Sequence, residues 1–149
     1  VGAALEDAMS WCGIIVDGHH VHPASLRNAI AAKPRGKTLL VTDAMPPVGA
    51  DDPSYVLNGE IILAKDGICQ TADGVLAGSA LDMAAAVRNT VEMLGLPLDE
   101  AVRMASTYPA DFLGLGASHG RIAVGYRADL VAMDAGCNVR QSWIGGLSG

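Results

Sequence analysis

Asp43 is the residue best placed to do chemistry. It closes an apolar run, Lys37-Thr38-Leu39-Leu40-Val41-Thr42. A carboxylate at the C-terminal end of a parallel strand stands where α/β sheets and barrels place their active sites. There it can serve as a general base or approach a metal. The structural alternative is a Thr-Asp pair that caps the following turn. His19, His20 and His22 follow an earlier apolar run, Gly13-Ile14-Ile15-Val16-Asp17-Gly18. If both runs are parallel strands, their ends share one rim, and one histidine can face the cleft that Asp43 faces. Metal ligation by all three is disfavoured by their spacing. In an extended segment His20 and His22 share a side while His19 points away, and a metal site needs a third convergent ligand. The preferred reading is one functional histidine with two partly exposed neighbours.

Other polar positions carry weaker signals. Gly74 to Ser79 precedes a long helical pattern, and helix N-termini bind anions. No Gly-Lys-Ser/Thr follows, so this is not a phosphate loop. Arg27, Arg88 and Arg103 fall in helical patterns and read as solvated faces or structural ion pairs. His119 reads as a surface residue. Cys12 and Cys69 lack neighbours that would lower a thiol pKa and read as small core residues.

The elements that must position these groups follow from the punctuation of the chain. Residues 13–18 read as a buried strand closed by Asp-Gly. Pro23 opens a helix over residues 24–33 with Leu26, Ala29 and Ile30 at helical spacing, and Pro34 and Gly36 stop it. Residues 37–43 form a second buried strand. Strand, helix and strand within about 30 residues make a βαβ unit with parallel strands. Asp66-Gly67 between two apolar runs predicts a hairpin. A long helix is expected from about Ser79 to Leu94, stopped by Gly95. Asp99 is expected to cap a helix through Met104, and Pro109 to open another over 110–115. Residues 120–125, 128–134 and 138–144 then read as short strands joined by glycine turns. The expected division is an α/β part over 1–116 and strands of a small β domain over 117–149.

Composition limits the function classes. The chain has 149 residues, half of them hydrophobic and 17% charged, a globular balance. Its net charge is −6 and its basic residues are scattered. Nucleic acid is therefore not an expected partner, because phosphate binding needs clustered Lys and Arg. No window holds 18 apolar residues, so no transmembrane helix is expected. Three cysteines without a CxxC pair argue against a disulfide scaffold and for a reducing, cytoplasmic setting. The chain starts at Val1 and its first residues read as mid-domain sequence, which predicts a piece of a longer protein.

The order of motifs resembles a known family. Residues 13–21, Gly-Ile-Ile-Val-Asp-Gly-His-His-Val, resemble the "IIADGxHV" segment of the N-acetylglucosamine-6-phosphate deacetylases of the amidohydrolase superfamily. Residues 40–44 are similar to their "LVTDA" segment. Leu76-Ala77-Gly78-Ser79-Ala80-Leu81-Asp82-Met83 is similar to "L(S/A)GSxLxM", and residues 103–110 to the "xMATxYPAxxLG" helix. Residues 120–134 resemble the "GxIxxGxxADLVxxD" strands of the wider superfamily. The first three motifs carry the specificity, and they occur in the family's order.

The resemblance implies the C-terminal portion of a (β/α)8 barrel, with strands seven and eight and their helices, plus strands of a small β-sandwich domain. It implies hydrolysis of the acetamide of N-acetylglucosamine 6-phosphate, a small-molecule amino-sugar phosphate, to acetate and glucosamine 6-phosphate. Asp43 matches the family's catalytic aspartate, which acts as base on a metal-bound water and then as acid toward the leaving amine. His20 matches the histidine that contacts the sugar. His19 stands where the family usually has a less polar residue. Leu76, Ala77 and Gly78 match a segment lining the substrate pocket. The family's divalent metal, zinc or iron, is held by a glutamate and two histidines from earlier strands. This chain alone is thus expected to bind no metal and to be catalytically incomplete, and the complete enzyme is expected to be a homodimer. Two other readings stay open: an amidohydrolase acting on a cyclic amide or amine, and a non-catalytic binding or assembly domain.

Overall fold

In a computed structural model, which describes residues 1–149, a parallel pair of strands lies at the centre. Strand β1 (Cys12–Ile14) and strand β2 (Thr38–Leu40) pair in register, Cys12 with Thr38 and Ile14 with Leu40. Helix α2 (Pro23–Ala32) makes the crossover between them. The βαβ unit is as the sequence predicts. Pro23 starts α2 at a position whose missing N–H costs nothing, and the ring of His22 accepts from the Ala24 amide at 3.2 Å. A short helix, α1 (Gly2–Glu6), precedes β1.

A four-stranded antiparallel sheet follows: β3 (Ser54–Leu57), β4 (Glu60–Lys65), β5 (Ile68–Thr71) and β6 (Leu76–Ser79), in that order. Two of its hairpins are two-residue turns with both central residues left-handed. Asp66-Gly67 is the turn expected from the sequence, and Asn58-Gly59 is a second one. Such turns match the twist of the strands. Ile62 and Cys69 point to the buried face, while Val56 and Ile61 point outward.

Three helices complete the core. Helix α3 (Met83–Leu94) begins at an Asp82 cap that accepts from the Ala85 amide at 2.7 Å and ends at left-handed Gly95. Its buried residues are Ala86, Val87, Thr90 and Leu94, one stripe at helical period. Helices α4 (Leu98–Ala105) and α5 (Thr107–Phe112) pack on β2. Val16, Leu26, Leu40, Ala101 and Met104 are buried at the centre. Strands β7 (Leu130–Met133), β8 (Val139–Ile144) and β9 (Leu147–Ser148) make a separate antiparallel sheet.

Several elements differ from expectation, and β1 and β2 end at Ile14 and Leu40, short of the expected 18 and 43. The long helix starts at Met83 rather than Ser79, because residues 76–79 are strand β6 and the Ser79 backbone pairs with the segment after β2. Gly74 to Ser79 therefore offers no helix N-terminus to an anion. Pro97, not Asp99, is the α4 cap residue, and Asp99 in the first turn pairs with Arg103 instead. Helix α5 starts at Thr107, two residues before Pro109. Residues 120–125 form no strand. Gly120 and Gly125 are left-handed, no strand lies alongside, and Ile122 and Val124 face solvent.

Candidate active site

The chain leaving β1 turns sharply at Asp17-Gly18. It is tied there to α3, whose Asn89 side chain donates to the Val16 carbonyl at 2.8 Å. The Asp17 side chain is almost fully buried, at 2% exposure. It accepts from the His19 amide at 2.9 Å, from the His20 amide at 3.0 Å, and pairs with His20 Nδ1 at 2.6 Å. Burial pushes this carboxyl up, and the two amides and the ring outweigh burial, so it is held below its ordinary value. The other ring nitrogen of His20, Nε2, lies 3.7 Å from Asp43 Oδ2.

Asp43 sits just past β2 with φ +52°. A non-glycine residue in the left-handed region is uncommon, and such strain concentrates at functional sites. Strand β6 holds it there. The Ser79 amide donates to the Asp43 carbonyl at 2.9 Å, the Met45 amide donates to the Ser79 carbonyl at 3.0 Å, and the Ser79 hydroxyl donates to the Thr42 carbonyl at 2.5 Å. The backbone is clamped on both sides while the carboxylate, 56% exposed, faces out.

The structure separates the three histidines. His20 joins Asp17 and Asp43. His22 caps α2 through its ring. His19 lies against the β4–β5 turn, where a Cβ on Gly67 would stand 3.7 Å from its Nε2. The residues 17–20 turn rather than extend, so the alternation of sides expected for an extended segment does not apply.

Within the expected pocket segment, Gly78 lies against the Asp43 backbone. With φ +115°, a Cβ there would meet Met45 Cγ, stand 2.8 Å from Met45 Sδ and 3.2 Å from the Asp43 carbonyl. The Ala77 carbonyl accepts from the Tyr55 hydroxyl at 3.3 Å. Leu76 is on the outward side of β6, 44% exposed. Burial, then the nearby Cys69 and Asp43, push the Tyr55 hydroxyl up. Burial and Asp43 push the Cys69 thiol up as well, which leaves it an inert core residue.

Asp17, Tyr55 and Ser79 support the candidate site, through His20, Ala77 and Asp43 respectively, and the sequence reading did not single them out. For Asp17 a signal existed: an Asp-Gly turn three residues before a histidine lets the carboxylate reach back to the ring. Tyr55 and Ser79 belong to a sheet whose first strand had no clear pattern.

Two atoms able to ligate a metal converge here, His20 Nε2 and Asp43 Oδ2, and no group of three or more His, Cys, Asp or Glu comes together anywhere in the chain. A catalytic zinc takes three protein ligands, so this chain's residues do not make a metal centre. A cavity of about 750 Å³ lies elsewhere, between α3, α4, α5 and the β7–β8 hairpin, and is mostly apolar. Neither His20 nor Asp43 lines it.

The geometry is a strand-end carboxylate beside an oriented imidazole. Residues 2–147 match the Amidohydrolase family. The chain belongs to this family. It is 44% identical over 146 residues to a putative N-acetylgalactosamine-6-phosphate deacetylase of Escherichia coli K12, covering 98% of this chain and 87% of that protein. The crystal structure of N-acetylglucosamine-6-phosphate deacetylase from Pasteurella multocida superposes with a TM-score of 0.92 at 38% identity, covering all of this chain and 39% of that one. A Mycobacterium smegmatis N-acetyl-D-glucosamine-6-phosphate deacetylase mutant, solved with N-acetyl-D-glucosamine-6-phosphate, superposes with a TM-score of 0.85 at 35% identity, covering 98% of this chain and 39% of that one. This amidohydrolase chain is therefore similar throughout to the deacetylases and spans about two fifths of the two solved structures. The fold read from the motifs, a partial (β/α)8 barrel with added β strands, agrees with this.

Proposed function

We propose that this amidohydrolase chain carries the proton-transfer and sugar-contact part of an N-acetylglucosamine-6-phosphate deacetylase. The observation that carries the reading is Asp43: a carboxylate held in left-handed backbone at the end of a parallel strand, beside His20 Nε2 at 3.7 Å. The reaction is amide hydrolysis. Water oxygen bonds to the acetamide carbonyl carbon, and its proton passes to Asp43. The C–N bond then breaks, and Asp43 returns the proton to the leaving amine. The products are acetate and glucosamine 6-phosphate. His20 contacts the sugar, and the backbone of Leu76, Ala77 and Gly78 lines the pocket beside Asp43.

Amidohydrolases are generally metal-dependent. The donors in this chain do not complete a metal site, and no step above is routed through one. In the complete enzyme the divalent metal, zinc or iron, takes its ligands from residues other than these. The reading includes a cytoplasmic homodimer and a division of this chain into barrel residues 1–116 and β-domain residues 117–149. No helix is long and apolar enough to cross a membrane.

A second substrate is favoured by one observation. The Escherichia coli K12 relative, at 44% identity, bears the galactosamine name, whereas the two solved structures, at 38% and 35%, bear the glucosamine name. The two sugars differ only in the configuration of one hydroxyl. The test is acetate release from both 6-phosphates by a graft in which this chain replaces the matching 39% of the Pasteurella multocida enzyme. Faster release from the glucosamine form supports the first reading, and faster release from the galactosamine form the second. Release from a cyclic amide alone would overturn both.

A further inference from the structure

We propose that Asp17 is a positioning residue that fixes the His20 ring with its hydrogen on Nδ1, so that Nε2 acts beside Asp43 as an acceptor and not as a donor. The inference rests on the deacetylase reading for its consequence, though not for its geometry.

The argument begins with the chemistry of a buried carboxylate. At 2% exposure Asp17 is out of solvent, and such a group is kept only when its oxygens are satisfied. Oδ1 accepts the His19 and His20 amides, and Oδ2 stands 2.6 Å from His20 Nδ1. An ionised carboxylate only accepts hydrogen bonds. The ring nitrogen facing it must therefore carry the hydrogen. In a neutral imidazole the other nitrogen is then a bare acceptor.

That acceptor, Nε2, stands 3.7 Å from Asp43 Oδ2. Two acceptors face each other across a gap that is too wide for a direct hydrogen bond. The arrangement recognises a donor: a sugar hydroxyl or amide N–H that enters between them can give to either. Asp17 thus sets the polarity of the sugar contact at His20. The free choice of an unpartnered ring is removed by a residue that touches neither substrate nor the reacting atoms. Oδ1 holds the turn through the two amides, whereas Oδ2 is paired with the ring alone.

The experiment reads the ring directly. The full chain is labelled with ¹⁵N-histidine, and the two-bond ¹H–¹⁵N correlations of each ring are recorded at about pH 9, where ordinary imidazole is neutral. A His20→Gln variant assigns the His20 signals by their loss. The expected spectrum shows His20 protonated on Nδ1 and bare at Nε2. Asp17→Asn keeps an acceptor for the two amides, and its amide NH₂ can face Nδ1, so it is expected to move the hydrogen to Nε2. A wild-type ring protonated on Nε2, or on both nitrogens, overturns the proposal. That reading needs no variant, so poor folding of Asp17→Asn does not protect the idea. A folded Asp17→Asn chain with an unchanged ring overturns it too.

The kinetic consequence is separate. In the graft, Asp17→Asn is expected to reduce kcat/KM about 10–100-fold, as loss of a ring-orienting partner does elsewhere. In a His20→Ala background, where there is no ring to orient, it should add little. Equal losses in both backgrounds contradict the positioning role. A graft that folds but releases no acetate contradicts the deacetylase reading and leaves the ring measurement to decide this one.

Discussion

The Ser79 amide donates to the Asp43 carbonyl at 2.9 Å, and this bond joins two parts of the chain that the sequence separates by a whole antiparallel sheet. It explains why Ser79 is completely buried and why the helix after it starts late. The end of β6 is occupied in holding the strand-end carboxylate, with its hydroxyl on Thr42 and its carbonyl on Met45. The four-stranded sheet is thus a support for Asp43.

Gly78 tests that support. Gly78→Ala forces a side chain into φ +115° and against Met45 and the Asp43 carbonyl, 3.2 Å from the new Cβ. The expected cost is about 2–3 kcal/mol, from backbone strain and overpacking together. Urea unfolding measures it as a lower midpoint with an unchanged slope. An unchanged midpoint would mean that β6 does not press on the Asp43 loop.

The backbone of Asp43 makes a second prediction. At φ +52° an asparagine is tolerated and an alanine is strained. Asp43→Asn should stay within about 0.5 kcal/mol of the parent, whereas Asp43→Ala should lose about 1 kcal/mol or more. Comparing the two midpoints isolates the left-handed conformation from the charge, since both variants remove the carboxylate.

Far from Asp43, Glu100 sets an acid limit on stability. The Arg35 guanidinium bonded to it outweighs burial, and with Tyr108 and Arg103 it lowers the Glu100 carboxyl to about 2 from an ordinary 4.5. A folded value below the unfolded one means stability that is present above about pH 4.5 and lost as pH falls toward 2. Arg35 is largely exposed, so solvent screens the pair and the contribution is on the order of 2 kcal/mol. Glu100→Gln should be less stable than the parent at pH 7 by that amount, and the two curves should converge near pH 2. Parallel curves across this range would contradict the assignment.

Lys33 is buried at 5% exposure without a carboxylate partner. Its ammonium donates to the Ala4 carbonyl at 2.7 Å, the Asp7 carbonyl at 2.5 Å and the Ser10 hydroxyl at 2.9 Å. It ties α1 and the following loop to the end of α2. Lys33→Met keeps the apolar stem and removes the donors. Hydrogen exchange at the Leu5 and Asp7 amides should speed up about tenfold or more, while β1 and β2 stay protected. Equal protection in the variant would show that α1 is held by other contacts.

How much of this was legible beforehand depends on the range of the interactions involved. The βαβ unit was legible because its strands, caps and stops are local: an apolar run, Pro23 at a helix start, Pro34 after its end. Asp43 and His20 were legible for the same reason, since each follows a strand that the pattern marks. The partnership of Ser79 with Asp43 was not, because it is a pairing across a sheet, and β3 begins after Pro53 with only Tyr55 and Val56 to suggest a strand. The region 120–125 failed in the opposite sense. Its alternating pattern is real, but a strand needs a neighbour, and Ile122 and Val124 have none here. His22 shows a third case: a residue type that suggests chemistry can serve as a helix cap when its ring reaches the next turn.

The most direct test of the central claim is acetate release from N-acetylglucosamine 6-phosphate and N-acetylgalactosamine 6-phosphate by the graft, with Asp43 and with Asp43→Asn. The account predicts turnover of at least one of the two with Asp43. It predicts a loss of about 10²–10⁴-fold with asparagine, as expected when a general base is removed, with both proteins unfolding at the same urea midpoint. Comparable turnover with asparagine at position 43, or a folded graft that releases no acetate from either sugar, would contradict it.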